Sequence, residues 1–357
     1  MTGVSMNNIQ IQRVFTMDKK QMNMVKDFLT QQQLKFELPV DALFVAVDGQ
    51  RIIGTGAVQG KIIKMLAVDP AYRGSNIIGM MLSRLVSESF QMGQDHLFIY
   101  TKPESAKTFE HLGFYEIART GHVALLENKK NGVLEHLTPL VDLEAESAYS
   151  PANIGAVVVN CNPFTKGHKH LIETASSSVD LLYIFVLSED RSTFPFEDRI
   201  QLVKQGVKHL SNVIVFPSGS YMVSGATFPT YFLGDDQDQI RTQTELDAQV
   251  FASKIAKILN IQTRYLGEEP YNPVTDTYNQ TLKHVLHRHD IGVEIIKRKA
   301  HDGKAISASN VRAYLASGDW KALREIVPET TWNYLVSEKA SEIVEKIKKE
   351  AHLHKRV

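Results

Sequence analysis

Thr165, Gly167 and His168 stand where a strand pattern gives way to a helix pattern. An apolar run ends at Val159, the turn Asn-Cys-Asn-Pro-Phe follows, and apolar residues recur at helical spacing from Leu171 onward. Such a junction points backbone N–H groups and the positive end of a helix dipole at whatever lies above the turn. Gly167 lets an anion approach the backbone closely, while Thr165 and His168 add side-chain donors. The pattern therefore predicts a site for a polyphosphate.

A second set of donors comes late in the chain, in the segment 305–312 (AISASNVR). Ser307 and Ser309 supply hydroxyl groups, and Ser309 is predicted to cap a helix whose first turns are residues 310–315. The planar fork of Arg312 suits the β- and γ-phosphate oxygens of a nucleotide. Alternatively, Ser307 could only end a strand, and Arg312 could lie on a helix surface without a ligand.

The elements that must position these residues follow a regular alternation in the C-terminal half. Continuous apolar strands are predicted at residues 156–159, 181–187, 213–216, 263–266 and 293–296, with amphipathic helices such as 196–210 and 245–259 between them. This alternation indicates a parallel sheet covered on both faces, which is a doubly wound, Rossmann-like α/β domain. Ligands of such domains bind beyond the carboxyl ends of the strands, where both motifs fall.

The pair of motifs, T-x-G-H early and I-S-x-S-x-x-R late, resembles the nucleotidyltransferase superfamily. There the motifs flank the triphosphate of ATP while a nucleophile attacks the α-phosphorus. The resemblance makes His168, Thr165 and Arg312 the candidate catalytic residues, with His168 at the α/β-phosphate region. The candidate nucleotide- and phosphate-binding residues are Asn162, Phe164, Lys166, Gly167, Gly267, Glu268, Ser307, Ser309 and Arg199. For four of these residues another interpretation stays open. Phe164 could only pack, Lys166 could be solvated, residues 267–268 could form a simple turn, and Arg199 could face solvent.

The N-terminal half has a different order of elements. A hairpin pattern surrounds the Asp-Gly turn at 48–49, and a helix, a strand and a second helix follow at residues 80–91, 96–101 and 104–112. The order resembles the GNAT acyltransferase fold, whose pyrophosphate loop reads R/Q-x-x-G-x-G/A. Arg73 and Gly74 match that loop, but Asn76 and Ile78 replace its two key glycines. The candidate residues for a CoA-like group are Arg73, Gly74 and Asn76, in a domain that is predicted to hold such a group more readily than to transfer an acyl group.

The chain is therefore divided into four parts. Residues 1–141 form the GNAT-like α/β domain, and the polar, proline-containing stretch 142–152 is a linker. Residues 153–330 form the nucleotidyltransferase-like ATP-binding domain, and residues 331–357 form a charged C-terminal helix.

Further blocks extend the resemblance to most of the chain. The segments 194–199 (FPFEDR), 219–229 (GSYMVSGATFP), 265–270 (YLGEEP) and 298–309 (RKAHDGKAISAS) are similar to those of the citrate lyase ligase family. The resemblance implies that ATP and acetate give acetyl-adenylate and pyrophosphate. The thiol of the CoA-like prosthetic group on the acyl carrier (gamma) subunit of citrate lyase then takes the acetyl group, and AMP is released. Mg²⁺ is expected mainly on the phosphate oxygens.

Two other functions remain as alternatives. A nucleotidyltransferase could adenylylate a phosphorylated small molecule such as a pantetheine phosphate, and it would ignore acetate. A regulatory protein could keep the nucleotide contacts without turnover, although the intact Thr165/His168 and Ser307/Ser309/Arg312 sets count against that.

Composition limits the possible partners and location. Lysine plus arginine equals aspartate plus glutamate at 40 each among 357 residues, so nothing favours binding to nucleic acid. The single cysteine, Cys161, excludes a disulfide framework and is expected to be packed rather than nucleophilic. No stretch is long and apolar enough to cross a membrane and no signal peptide is evident, so a cytoplasmic location is expected. The acidic run 235–238 and the scattered histidines lack convincing metal-ligand spacing, and no metal site is predicted.

Overall fold

The computed structural model describes residues 9–72, 74–146, 150–188, 192–222, 228–233, 236–268 and 273–354, and the side chains of 236–238, 273–277 and 352–354 lie outside that description. The chain forms two compact units. The first contains Met1–Glu135 and Val223–Gln249, and the second contains His136–Met222 and Val250–Val357.

The first unit is built on a seven-stranded sheet with the strand order β1-β2-β3-β4-β5-β7-β6. The β4 and β5 strands run parallel and pair only at Ile62↔Phe98 and Ile63↔Ile99, so they separate toward their carboxyl ends. The other neighbours in the sheet are antiparallel. The elements in chain order are β1 Ile9–Val14, α1 Lys19–Gln31, β2 Ala42–Asp48, β3 Arg51–Gln59, β4 Ile62–Val68, α2 Ile77–Gln91, β5 Phe98–Thr101, α3 Ala106–Glu110, β6 Tyr115–Arg119 and β7 Ala124–Glu127.

The core of this unit covers both faces of the sheet. Phe44 and Ile53 on one face pack with Met81 of α2 and with α3. On the other face, α1 packs on the strands together with Tyr231, a residue from far along the chain. The α/β organisation predicted for this half is confirmed.

Tyr231 belongs to a late segment that completes the first unit. The backbone N–H of Thr230 donates to the Glu37 carboxylate at 2.6 Å, and the N–H of Lys35 donates to the carbonyl of Tyr231 at 2.8 Å. The Tyr231 hydroxyl donates to the carbonyl of Tyr100 at 3.1 Å. Residues 228–233 therefore lie in the first unit, although the sequence analysis assigns them to the 153–330 domain.

The second unit is built on a parallel sheet with the order β10-β9-β8-β11-β12. The first strand, β8, is central, with β9 on one side and β11 on the other, so the strand order reverses at this point. The elements in chain order are α4 Gly132–Glu146, which enters the unit at His136, β8 Ile154–Val159, α5 Lys166–Ser176, β9 Leu181–Val186, α6 Phe196–Val207, β10 Val213–Pro217, β11 Thr263–Gly267, α8 Pro273–His287, β12 Gly292–Ile296, β13 Ala300–His301, β14 Lys304–Ala305, α9 Ala308–Ser317, α10 Trp320–Ile326, α11 Glu329–Leu335 and α12 Ser341–His354. The helix α7 Asp236–Val250 precedes β11 in the chain and belongs to the first unit except for its last residue.

Two apolar clusters hold this unit together. In the first, Val157 of β8 and Ile184 of β9 pack with Ile172 of α5 and Val203 of α6. In the second, helices α9 to α12 pack on one another around buried residues such as Leu323. The predicted doubly wound parallel sheet is confirmed.

The predicted domain boundaries differ from the structure at two places. The linker predicted at 142–152 begins inside α4, because Leu137 and Leu140 are buried on one face of that helix and the polar residues that follow lie toward solvent. The charged tail 331–357 is not one helix: it holds α11, a short 3₁₀ turn and α12. Val344 and Ile347 of α12 are buried in the same cluster as α9, so the tail is part of the second unit.

No helix in the described part of the chain is long and apolar enough to span a membrane.

Candidate functional site

The N-terminus of α5 is closed by a reciprocal pair of hydrogen bonds between Thr165 and His168. The Thr165 hydroxyl accepts from the backbone N–H of His168 at 3.2 Å, and Nδ1 of His168 accepts from the backbone N–H of Thr165 at 3.1 Å. A neutral imidazole whose Nδ1 accepts carries its proton on Nε2. The capping geometry therefore presents His168 as an N–H donor.

His168 is neutral at ordinary pH. Burial, and next the positive charge of Arg298, lower the pKa of its imidazole from 6.5 to about 4. Its ring also stacks on that of the buried Phe164, with ring centroids 6.1 Å apart. The side chain is thus held as a hydrogen-bond donor and not as a cation.

The N-terminus of α9 is capped by Ser307, not by the predicted Ser309. The Ser307 hydroxyl accepts from the backbone N–H of Asn310 at 3.1 Å, so the helix begins two residues earlier than expected. Ser309 lies in the first turn, where its hydroxyl accepts from Arg312 at 3.2 Å. The other guanidinium nitrogen of Arg312 donates to the carbonyl of Asn162 at 2.5 Å, which joins the late motif to the turn of the early one.

Gly167 brings the two helix starts together. A Cβ at this position would lie 2.8 Å from the carbonyl oxygen of Ile306, the residue before the α9 cap. The backbone of Ile306 approaches Gly167 so closely that no side chain fits at position 167. Gly167 therefore permits the contact between the two motifs, and the anion access that its sequence position suggests stays a prediction.

A cavity of about 710 Å³ lies between these helix starts, within the usual size range of small-ligand sites. It opens at the carboxyl ends of the parallel strands, where Asn160 follows β8, Gly267 ends β11 and Ile296 ends β12. The predicted residues that line it are Asn162, Thr165, Gly167, His168, Gly267, Ser307, Ser309 and Arg312.

The cavity is positively charged. Lys297, Arg298, Lys304 and Arg312 line it, and none of the described residues that line it has a carboxylate. Partial burial lowers the pKa of both arginines, yet an arginine stays ionised at any physiological pH. Such a donor set suits a polyphosphate. Within the described residues there is no group of three or more His, Cys, Asp or Glu side chains that could hold a metal, and the acidic run 235–238 falls outside the described side chains.

Arg199 does not serve the phosphate site, and that prediction is corrected. Its side chain is fully buried, and its guanidinium donates to the carbonyls of Phe194, Asn160 and Leu187 at 3.0, 2.8 and 2.8 Å. It therefore fixes the loops that follow β8 and β9. A guanidinium has several N–H donors and can satisfy three carbonyls in this way. If the Arg199 side chain faced solvent or bound phosphate, these three carbonyls would lose this donor.

Three other predicted residues also lie outside the cavity. The Lys166 amine donates to the carbonyls of Arg324 and Glu325 at 3.3 and 2.8 Å, where the C-terminal end of α10 attracts a cation. Phe164 is fully buried and supports the His168 ring. The backbone N–H of Glu268 donates to the carbonyl of Ile296 at 2.9 Å, so this residue continues the pairing of β11 with β12.

Cys161 is a buried core residue at the edge of the cavity. It is 1% exposed, and burial raises the pKa of its thiol. The group stays protonated, which agrees with a packing role.

The sequence analysis missed Arg298, Lys304 and His170 as lining residues. Arg298 follows β12, and the rule that ligands bind beyond the carboxyl ends of parallel strands applies to this strand as it does to β8. That signal could have identified it.

A separate cavity of about 670 Å³ lies within the first unit, where β4 and β5 separate. Gly74, Ser75 and Ile78 line it from the loop before α2 and from the first turn of that helix, and Tyr231 and Phe232 line it from the late segment. Gly74 has a φ of +85°, a conformation that favours glycine.

Of the three residues predicted for a CoA-like group, Gly74 lines this cavity and Asn76 is not among the described residues that line it. Arg73 lies outside the described residues. Asn76 is the N-cap of α2 without a side-chain capping bond, and its amide oxygen lies 2.5 Å from where a Cβ on Gly79 would be. The prediction for Asn76 is therefore corrected, because its side chain packs over Gly79.

Comparisons with known proteins cover nearly the whole chain. Residues 154–335 match the family model of the citrate lyase ligase C-terminal domain, and residues 14–126 match that of the acetyltransferase (GNAT) domain. The citrate (pro-3S)-lyase ligase of Klebsiella pneumoniae is 35% identical over 330 residues, which are 91% of this chain and 95% of that protein. The enzyme of the same name from Haemophilus influenzae is 36% identical over 334 residues, 92% and 98% of the two chains.

Shorter similarities exist to each half. A phosphopantetheine adenylyltransferase of Streptococcus gordonii is 43% identical over 67 residues, 18% of this chain and 41% of that protein. The crystal structure of a GNAT-family acetyltransferase from Staphylococcus aureus is 17% identical, covers 34% of this chain and 99% of its own, and has a TM-score of 0.27.

Proposed function

The chain belongs to the citrate lyase ligase family, and from this premise we propose that it activates acetate with ATP and acetylates a thiol on the acyl carrier subunit of citrate lyase. The observation that carries the proposal is the convergence of two capped helix starts, a neutral histidine and arginine side chains on one cavity. Helix starts and fixed donors are the devices that proteins use to bind phosphates.

In the first half-reaction a carboxylate oxygen of acetate attacks the α-phosphorus of ATP. The bond from the α-phosphorus to the bridging oxygen breaks, and pyrophosphate leaves with the electron pair. Acetate is already ionised near neutral pH, so no general base is needed. Catalysis then depends on positioning and on donors aimed at the developing charge.

Each residue of the cavity has a distinct task in this step. His168, with its proton on Nε2, donates to the α/β-phosphate oxygens as charge develops. Thr165 caps α5 and fixes the tautomer of His168. Arg312, with Ser307 and Ser309 at the start of α9, binds the β- and γ-phosphates. Mg²⁺ would bind mainly to the phosphates, since the cavity lining offers cations and hydroxyls.

In the second half-reaction the acceptor thiol attacks the acetyl carbonyl. A C–S bond forms, the C–O bond of the mixed anhydride breaks, AMP leaves and the thiol proton passes to solvent. The thiol belongs to the CoA-like group of the acyl carrier subunit, and the first unit's cavity, with Gly74 at its wall, is the proposed place for that group. We also place the chain in the cytoplasm, in keeping with its single, buried cysteine.

The test is exchange of labelled pyrophosphate into ATP by the purified chain with Mg²⁺, with and without acetate. Exchange that requires acetate supports acetyl-adenylate formation. Exchange that proceeds without acetate, or only with a phosphorylated acceptor such as 4′-phosphopantetheine, contradicts it in favour of a plain nucleotidyltransferase. Absence of exchange under all of these conditions contradicts both reactions and favours a regulatory role.

A further inference from the structure

Arg298 reaches the nucleotide cavity from an element that the phosphate motifs do not include. It lies two residues beyond the end of β12, lines the cavity and is half-buried. Burial lowers the pKa of its guanidinium, and the Glu268 carboxylate opposes this shift in part. A guanidinium in this position is ionised and costly to desolvate, which is typical of a group that binds an anion.

The two arginines of the cavity lie in different places. Arg298 follows β12, a strand against which α5 packs, and it lines the same cavity as His168 at the start of α5. Its positive charge adds to burial in lowering the pKa of that imidazole. Arg312 lies in the first turn of α9, where it is held by the carbonyl of Asn162 and the hydroxyl of Ser309. With His168 at the α/β-phosphates and Arg312 at the β- and γ-phosphates, as proposed above, the position of Arg298 near the start of α5 is on the α-phosphate side of the cavity.

The α-phosphate is the group that persists through the whole reaction. ATP, acetyl-adenylate and AMP all carry it, but only ATP carries the β- and γ-phosphates. In the second half-reaction its charge grows, since AMP takes the electron pair of the broken C–O bond. A cation at this phosphate therefore stabilises charge in both steps.

We propose that Arg298 binds the phosphate that AMP and acetyl-adenylate share with ATP and so acts in both half-reactions, whereas Arg312 acts only where pyrophosphate is present. This inference rests on the proposed function for the chemistry of the second step. The binding part of it, a cation at the nucleoside 5′-phosphate, holds for any nucleotidyl transfer at this cavity.

The first test is calorimetric titration of the full chain with AMP, adenosine and ATP. Arg298→Ala is expected to weaken AMP binding by about 10- to 100-fold, the worth of a charge-assisted hydrogen bond, and to leave adenosine binding unchanged. Arg298→Lys should recover part of the loss, because the charge returns without the planar fork. Arg312→Ala should weaken ATP and leave AMP near the wild-type affinity. Arg288→Ala, which removes an exposed arginine of the same unit, is the matched control.

The second test separates the half-reactions. Synthetic acetyl-adenylate is supplied with CoA as the thiol acceptor, and acetyl-CoA formation is compared with pyrophosphate exchange. Arg298→Ala should slow both by about 100-fold, the usual loss for one donor at developing charge, whereas Arg312→Ala should slow only the exchange. Should Arg298→Ala unfold, Arg298→Lys and Arg298→Gln are used instead.

The outcomes are distinguishable from those of the proposed function. Unchanged AMP affinity in folded Arg298 variants, or a defect confined to pyrophosphate exchange, overturns the role of Arg298. Wild-type exchange that ignores acetate overturns the ligase proposal and leaves the AMP titration as a valid test. A third readout is proton NMR: Arg298→Gln removes the smaller cause of the lowered pKa of His168 and leaves burial, the larger one, so the titration midpoint should rise only in part, and an unmoved midpoint would contradict the proximity of the two side chains.

Discussion

The two units each start a long helix close to the end of a sheet strand, but the two helix starts differ in chemistry. At α5, Thr165 and His168 cap each other and leave an imidazole N–H free to donate into the cavity. At α2, Asn76 makes no side-chain capping bond, and the loop before it depends on the left-handed Gly74. Among the described residues at the two helix starts, only those of α5 form a capping box with a side-chain donor.

The difference indicates how the two cavities divide the work. The cavity of the second unit is lined by histidine, hydroxyls, lysines and arginines, which suits charge that develops at phosphorus. The cavity of the first unit is lined by apolar residues such as Leu66 and Ile78, by hydroxyls such as that of Ser75 and by the charged Lys102 and Glu104, and none of the described residues that line it is a histidine or an arginine. We therefore propose binding of the CoA-like group, and not chemistry at phosphorus, as the role of the first unit.

The largest expected effect comes from removing the donor at α5. His168→Ala deletes the Nε2–H group and should lower acetate-dependent pyrophosphate exchange by about 100- to 1,000-fold. It also removes one half of the capping box, so the free energy of unfolding should fall by about 1 kcal/mol and the protein should stay folded. Exchange kinetics and thermal unfolding measure the two effects.

The control for this variant is His209→Ala. That imidazole is in the same unit, is exposed and contacts Glu173 at 2.9 Å. Its removal should leave exchange unchanged. A near-normal exchange rate in His168→Ala would refute the assignment of the donor.

The next effect concerns stability rather than chemistry. Arg199→Met keeps the length of the side chain but leaves the carbonyls of Asn160, Leu187 and Phe194 without this donor. Unsatisfied buried acceptors cost about 1–3 kcal/mol each, so urea unfolding should show a loss of about 3 kcal/mol. Arg288→Met is the exposed counterpart. Unchanged stability together with a raised KM for ATP would restore the phosphate role that the sequence suggested.

Much of the fold follows from local patterns. The five parallel strands, the hairpin at Asp48-Gly49 and the starts of α5 and α6 are all visible in apolar periodicity and turn residues. The late segment at Tyr231 was not predictable, because its contacts with Glu37 and Tyr100 join residues far apart in sequence. Periodicity reports one element at a time and cannot report which unit a connecting segment joins.

Site residues could be predicted where their role depends on their position at the start of a helix. The early motif placed Thr165 and His168 at the start of α5, where they cap the helix. The late motif placed a cap at the start of α9 as well, but the cap is Ser307 and not the predicted Ser309. Lys166 and Arg199 could not be assigned in this way, since their long side chains can reach several partners and only tertiary contacts select one. Arg298 lies outside both phosphate motifs, but the strand that it follows was predicted at 293–296, so its place beyond a carboxyl end was open to prediction.

A smaller effect is expected at the contact between the two motifs. In Gly167→Ala the new Cβ would lie 2.8 Å from the carbonyl oxygen of Ile306, so backbone must move. Overpacking of this kind costs about 1–3 kcal/mol, and displacement of the helix starts should lower exchange as well. Gly121→Ala is the control, because nothing lies within 4 Å of its Cβ. Equal stability and exchange in the two variants would contradict the close approach of the motifs.

The smallest effect is expected in the first unit, at the loop before α2, and it tests whether this unit binds the CoA-like group while the second unit carries out adenylation. Gly74 and Gly93 have φ values of +85° and +78°, and nothing lies within 4 Å of a Cβ at either position. Alanine at each should therefore lower the free energy of unfolding by a similar amount, about 1–2 kcal/mol. Only Gly74 lines the cavity, so only Gly74→Ala should also weaken CoA binding in a calorimetric titration, while acetate-dependent exchange continues in both. If the two variants bind CoA equally well, the loop before α2 does not hold the CoA-like group, and the site of acyl transfer must be sought in the second unit.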